Sequence, residues 1–152
     1  MEYRTARVGR KRRSVFEAVA ALDAVCFPEE APPTWEQFKT GQWWLVRHKG
    51  AIIGFASAVH IGDTIVLTRA GIHPDHRGRN LQRRLIDHRV VWARSSGADK
   101  AITYTSTDNP ASSNNLIAVG FRVFSPETWP TDEALRAGGR FICWRLRLTA
   151  RL

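Results

Sequence analysis

The sequence predicts an α/β (α+β) domain in which a central mixed, mostly antiparallel sheet of about six to seven strands is flanked by about four helices. Three observations carry this. At Trp43 the apolar pattern changes from helical spacing to three successive strand-like runs, WWLVR, AIIGFASAVH and TIVLTRAGI, joined by short turns. Two helical segments follow, each leading back to a strand-like run, which makes the sheet mixed. The length of 152 residues suits one full core and is short for two ordinary ones, so residues 1–152 are read as a single domain.

A first strand is expected over residues 3–8. The helix after it is expected to start at Ser14, because Ser14 and Glu17 make the S-x-x-E capping-box pattern and Val15, Ala18, Val19, Leu22 and Cys26 recur at helical intervals. It should stop near Phe27-Pro28. After PEEAPP, Thr34 and Gln37 repeat the box ahead of a short helix in which Trp35 and Phe38 lie three apart. The three strand runs then form an antiparallel meander through turns at His48-Lys49-Gly50 and Gly62-Asp63. Pro74 and Asp75 end the third run, and Leu81, Leu85, Ile86, Val90 and Trp92 mark a helix over about 80–96 that Gly97 closes. A strand AITYT, a loop TDNPA, a helix over about 112–119 closed by Gly120, and strands near 121–124 and 140–148 complete the order.

Hydrophobic residues at 43% and charged residues at 24% exclude disordered and collagen-like classes. No apolar run approaches the ~18 residues of a membrane span, and the Arg-rich N-terminus lacks the apolar core of a signal peptide. A cytoplasmic protein with no membrane partner is expected. Cys26 and Cys143 lie in the apolar contexts AVCFP and FICWR, with no CxxC pair and no His at ligand spacing, so buried free thiols and no metal site are expected. The formal charge of +9, from 23 basic against 14 acidic residues, implies a field that attracts phosphates. The run Arg10-Lys11-Arg12-Arg13 suits either a nucleic-acid contact or a solvated helix start.

The most informative segment is GIHPDHRGRNLQRRL, Gly71 to Leu85, which leaves a strand, turns at Pro74 and enters a helix. The first turn of a helix has unpaired N–H groups and the positive end of the dipole, so it can hold phosphate oxygens by backbone alone. Arg77, Arg79, Arg83 and Arg84 add charge there. PDHRGRNLQRRLI resembles the acetyl-CoA pyrophosphate loop of the GNAT acetyltransferase superfamily, Arg/Gln-x-x-Gly-x-Gly/Ala, with Arg77 in the first place and Asn80 and Gln82 where the family has small residues. Asn is the non-glycine residue that best tolerates a left-handed backbone. NPASSNNLIAVGF, from Asn109 to Phe121, is similar to the family's late helix running into a Gly-Phe strand start, and the order of elements resembles the family over nearly the whole chain.

The resemblance implies a GNAT fold whose two central strands splay apart around the pantetheine arm. It implies that Ala70, Gly71 and Ile72 offer backbone to pantetheine, and that Gly78, Arg79, Asn80, Leu81 and Gln82 offer N–H groups to the pyrophosphate with Arg77 and Arg83 nearby. Asn109 and Ser112 would lie beside the thioester arm, although a turn or cap role suits Asn109 equally. The implied activity is transfer of an acetyl group from acetyl-CoA to a primary amine by direct attack in a ternary complex, and family members often pair as homodimers. The alternatives are a GNAT-like protein that binds or modifies nucleic acid through its basic surface, and a non-catalytic CoA-binding module.

The family's late-helix tyrosine falls at Leu116, and the strand before the loop has Thr68 and Arg69 in place of a glutamate base. The candidates left are Glu29 and Glu30, in the loop between the first two helices that lines the family's acceptor groove, and Tyr104 as a proton relay. Asp108, His60 and His73 are further ionisable residues at strand ends or in loops. Trp35, Trp43, Trp44 and Trp129 are candidates for an aromatic acceptor wall, and adjacent Trp43 and Trp44 must face opposite sides of the sheet.

Overall fold

The computed structural model describes residues 2–131 and 140–149. Seven strands, β1 (Arg4–Arg7), β2 (Gln42–His48), β3 (Ala51–Ile61), β4 (Thr64–Ile72), β5 (Lys100–Ser106), β6 (Arg122–Val123) and β7 (Phe141–Arg147), form one sheet in the order β1-β2-β3-β4-β5-β7-β6. Neighbours are antiparallel except β4 and β5, which are parallel. Four helices flank them: α1 (Arg13–Cys26), α2 (Trp35–Thr40), α3 (Leu81–Ser95) and α4 (Pro110–Val119). The expected mixed, mostly antiparallel sheet with four helices is present.

The local signals fare unequally. At α2 the capping box forms: Thr34 Oγ1 accepts from the Gln37 N–H at 3.1 Å, and the Gln37 side chain accepts from the Thr34 N–H at 2.9 Å. At α1 it does not. That helix starts at Arg13 with Arg12 as its N-cap and no side-chain cap, which puts Ser14 inside the first turn. Tertiary anchoring fixes the start instead: Lys11 Nζ donates to the Gly41 carbonyl at 2.7 Å, and the Arg12 carbonyl already accepts from the Phe16 N–H. Strand β6 is shorter than expected, with two residues, because Pro126 follows closely and cannot continue a ladder. Cys26 and Cys143 are half-buried and unpaired. No helix among the described residues is long and apolar enough to cross a membrane.

The core lies on both faces of the sheet, and strand alternation decides which residue goes where. On the α1–α2 side, Trp43 and Leu45 pack with Val19, Leu22, Phe38 and Phe55. On the α3 side, Trp44 and Val46 pack with Leu85, Ile86, Val90 and Ala93. One charge is enclosed by that second cluster. Arg89 is 4% exposed and donates to the Leu85 carbonyl and, at 3.2 Å, to the Ser57 carbonyl, with no carboxylate partner among the described residues. Burial lowers its pKa to about 10, so it stays charged at neutral pH. A buried cation that lacks a counter-charge destabilises the fold relative to an apolar side chain of similar volume. Arg89→Met is therefore expected to leave the urea midpoint unchanged or raise the stability by about 1–4 kcal/mol. A loss of several kcal/mol in equilibrium unfolding would mean that its two carbonyl contacts outweigh desolvation.

Candidate functional site

The parallel strands β4 and β5 share a ladder only from Thr64↔Lys100 to Val66↔Ile102. Beyond it β4 continues to Ile72 and β5 to Ser106, and Thr103 Oγ1, donating to the Leu67 carbonyl at 3.0 Å, marks the fork. A bulge in β4 accompanies the divergence. Ala56 pairs with Ala70 and Ala58 with Leu67, so Thr68 and Arg69 together oppose the single Ser57. An extra residue on one strand bends it and increases its local twist. The Ser57 hydroxyl knits the bulge, accepting from the Arg69 N–H at 3.0 Å and sharing a 2.6 Å hydrogen bond with Thr68 Oγ1.

The fork opens into a cleft of about 1340 Å³. One end is formed by the turn into α3. Gly78 (φ 77°) and Asn80 (φ 65°, the α3 N-cap) both take left-handed backbone, the conformation for which Asn80 was expected to be suited. Among the described residues no hydrogen bond engages the N–H groups of residues 78–83, whereas the Arg84 N–H is already bonded to the Asn80 carbonyl. This is an unfilled helix N-terminus at the cleft's edge. Arg83 Nε, one turn into α3 and outside the cleft lining, is buried without a partner. These features fit a diphosphate: donors are present in excess and none of residues 77–83 is acidic.

Of the residues that the resemblance implied, Ala70, Gly71, Ile72, Arg77, Gly78, Asn80, Leu81, Gln82, Asn109 and Ser112 line the cleft, and Arg79 and Arg83 do not. Arg77 turns back, donating from Nε to the Ile72 carbonyl at 3.1 Å, so part of its role is to brace the end of β4. Arg84 reaches away and holds the Tyr3 carbonyl. Asn109 is the N-cap of α4 and accepts from the Ser112 N–H at 3.2 Å, the cap role that the sequence left open. Cys26 donates to the Ile72 carbonyl at 3.5 Å. Burial raises its pKa, only partly offset by Arg77, which makes it a thiol rather than a nucleophile at neutral pH.

The opposite wall comes from the end of α1 and the segment that follows it. Phe27, Glu30, Ala31, Pro33 and Trp43 line it, and Glu29 does not. Arg69 leaves the β4 bulge toward this wall. Its Nε and Nη2 donate to the carboxylate of Asp23, which is 0% exposed, and Nη2 also donates to the Ala31 carbonyl at 2.7 Å and lies 3.7 Å from Glu30 Oε2. Two carboxylates from other elements thus meet Arg69, at the strand position that lacks one. Asp23 went unnoticed in the sequence, where an acid inside the Val19–Leu22–Cys26 apolar stripe was the available signal.

Tyr104, across the fork on β5, lines the cleft with its ring edge-on to Phe141 (4.8 Å) and Trp129 (5.9 Å). Trp43 is the one expected tryptophan in the cleft wall, its Nε1 donating to the Gln37 carbonyl at 3.3 Å. Trp44 and Trp129 are core residues, and Trp35 stacks on Phe38 with Arg13 over its ring. Asp108, His60 and His73 lie outside the lining.

The arrangement sets a turn with unpaired backbone N–H groups beside a slot between two strands, with a carboxylate and a phenol among the lining groups. Several solved structures share the fold. The ribosomal-protein-S18-alanine N-acetyltransferase from Escherichia coli superposes with a TM-score of 0.76 at 16% identity, over 99% of this chain and 97% of that one. A putative GNAT acetyltransferase from Desulfovibrio desulfuricans gives 0.77 at 17% identity, over 96% and 100%. A Bacillus subtilis acetyltransferase solved with CoA gives 0.73 at 13% identity, over 97% and 100%. No curated protein matches the chain. The sequence profile of the acetyltransferase (GNAT) family matches residues 12–121, a span from α1 through α4 that contains the fork and the loop, and the chain belongs to that family.

Proposed function

We propose that the protein transfers an acetyl group from acetyl-CoA to a primary amine by direct attack in a ternary complex, with Glu30 as the carboxylate that receives the amine. The observation that carries this reading is that Gly78, Asn80, Leu81 and Gln82, whose amides are unpaired, line the same cleft as Glu30. Residues 78–82 hold the pyrophosphate, and the edges of β4 at Ala70, Gly71 and Ile72 hold the pantetheine arm in the fork. Acetyl-CoA supplies a thioester: the amine nitrogen bonds to its carbonyl carbon, the C–S bond breaks, and the electron pair leaves on sulfur.

Glu30 attracts the protonated amine and accepts its proton, directly or through water. Arg69, held by buried Asp23, limits where Glu30 can reach. Tyr104, on the other side of the slot, returns a proton toward the departing thiolate. The aromatic surfaces of Phe27 and Trp43 suit the body of the amine.

Steady-state CoA release with a panel of amines tests this. Glu30→Gln is expected to lower kcat/KM by about 10²-fold, the low end for general-base catalysis, while the acetyl-CoA Kd stays unchanged. An unaltered kcat/KM would remove Glu30 from the mechanism. Tight acetyl-CoA binding without any amine-dependent release would leave a non-catalytic CoA-binding module.

A further inference from the structure

The other end of the sheet carries a second surface. The register places Lys100 opposite Arg147, and Arg145 opposite Ile102 on one side and Arg122 on the other. Directly opposed residues in an antiparallel ladder project to the same face. Lys100, Arg147, Arg145 and Arg122 therefore stand together across β5, β7 and β6, where β5 begins, while the cleft opens where β5 ends. The three arginines are exposed. Lys100 has Asp63 at 4.0 Å, but none of the three arginines forms an ion pair with a described residue. The Arg145 guanidinium lies 5.0 Å over the ring of Phe124.

This pattern works against the sheet. Like charges directly opposite one another are destabilising, and here two rungs carry them. Protection of an open edge accounts for Arg122, since β6 is terminal and a basic residue there discourages strand pairing. It does not account for Arg145, which lies on an inner strand with a neighbour on each side. Nor does it explain why no acid among the described residues stands opposite Arg145 or Arg147 in the ladder, where Asp99 is the only acid lining the same recess.

We propose that this row binds the phosphodiester backbone of a single-stranded nucleic acid. The cations span three strands, about 10 Å at ~4.8 Å per strand, so their complement is a run of anions and not one carboxylate. Phosphates at regular intervals meet that need, the net charge of +9 steers them in, and the Arg145–Phe124 stack offers a flat face to a base. The surface lies away from the acetyl-transfer cleft, and the inference does not depend on that activity.

Fluorescence anisotropy of a labelled 20-nucleotide single-stranded RNA with the full chain, from 50 to 200 mM salt, tests it. Four phosphate contacts on a single strand predict a log K versus log salt slope of about −2.8. The Arg122→Glu/Arg147→Glu double variant turns both like-charged rungs into opposite-charged ones. It should lose RNA affinity by more than about tenfold and flatten the slope, while its thermal midpoint is unchanged or higher and its acetyl-CoA Kd is unaltered. Weak, salt-insensitive binding by the wild type, retention of affinity and slope by the variant, or equally tight binding of a poly-glutamate peptide would each overturn the proposal. The acetyl-CoA arm separates those failures from a failure of the cleft.

Discussion

Asn80→Glu is expected to weaken acetyl-CoA binding by about 10²-fold while leaving the ligand-free protein close to its original stability. Asn80 caps α3 in left-handed backbone at the mouth of the cleft and makes no side-chain cap hydrogen bond, so its replacement removes no capping interaction. A carboxylate about 5 Å from a phosphate repels it by about 3 kcal/mol at an effective dielectric near 20, which corresponds to roughly 10²-fold in Kd. In the ligand-free protein two small effects oppose each other. An acid at a helix N-terminus stabilises by about 0.3–1 kcal/mol, and the left-handed conformation is harder for Glu than for Asn by about 1 kcal/mol. Calorimetric titration with acetyl-CoA and a thermal scan of the free protein measure the two halves separately. An unchanged Kd would place the pyrophosphate elsewhere.

The second large effect is on stability. Asp23→Ala is expected to destabilise the protein by about 3 kcal/mol, the lower part of the range for breaking a buried pair, because Arg69 is 27% exposed and can turn toward water. Against a typical total of about 5–15 kcal/mol, that is a substantial fraction. The same substitution frees Arg69 from the position in which it meets Ala31 and Glu30, so turnover should fall with stability. Replacing both partners by leucine separates the effects. Stability should return, since no charge is left buried, and the loss of turnover should persist. Urea unfolding of the single and double variants provides the comparison. A double variant that is both stable and fully active would show that the pair serves the fold alone.

What was legible in the sequence follows the range over which each signal acts. The left-handed Asn80, the α2 capping box and the opposite facing of Trp43 and Trp44 are set by neighbours within a few residues, and all three are present as read. The same reasoning failed at Ser14, where Lys11 reaches 30 residues ahead to Gly41 and fixes the start of α1 first. Asp23 and Arg69 lie 46 residues apart, and nothing in either local segment announces the other. The β4 bulge was equally hidden, because TIVLTRAGI reads as an uninterrupted strand and only pairing with Ser57 reveals the extra residue. Glu29 and Glu30 were indistinguishable by type and position, and only the turn of the chain after α1 separates the one that lines the cleft from the one that does not.

In the proposed complex acetyl-CoA occupies the fork between β4 and β5 with its pyrophosphate on the turn into α3. Amide hydrogen exchange, with and without saturating acetyl-CoA, tests it most directly, because the N–H groups of residues 78–83 have no protein acceptor to protect them. These amides are expected to exchange freely in the unliganded protein and to become protected on binding, together with the edge of β4 around Ala70 to Ile72. Binding that leaves residues 78–83 exchanging as before would contradict it.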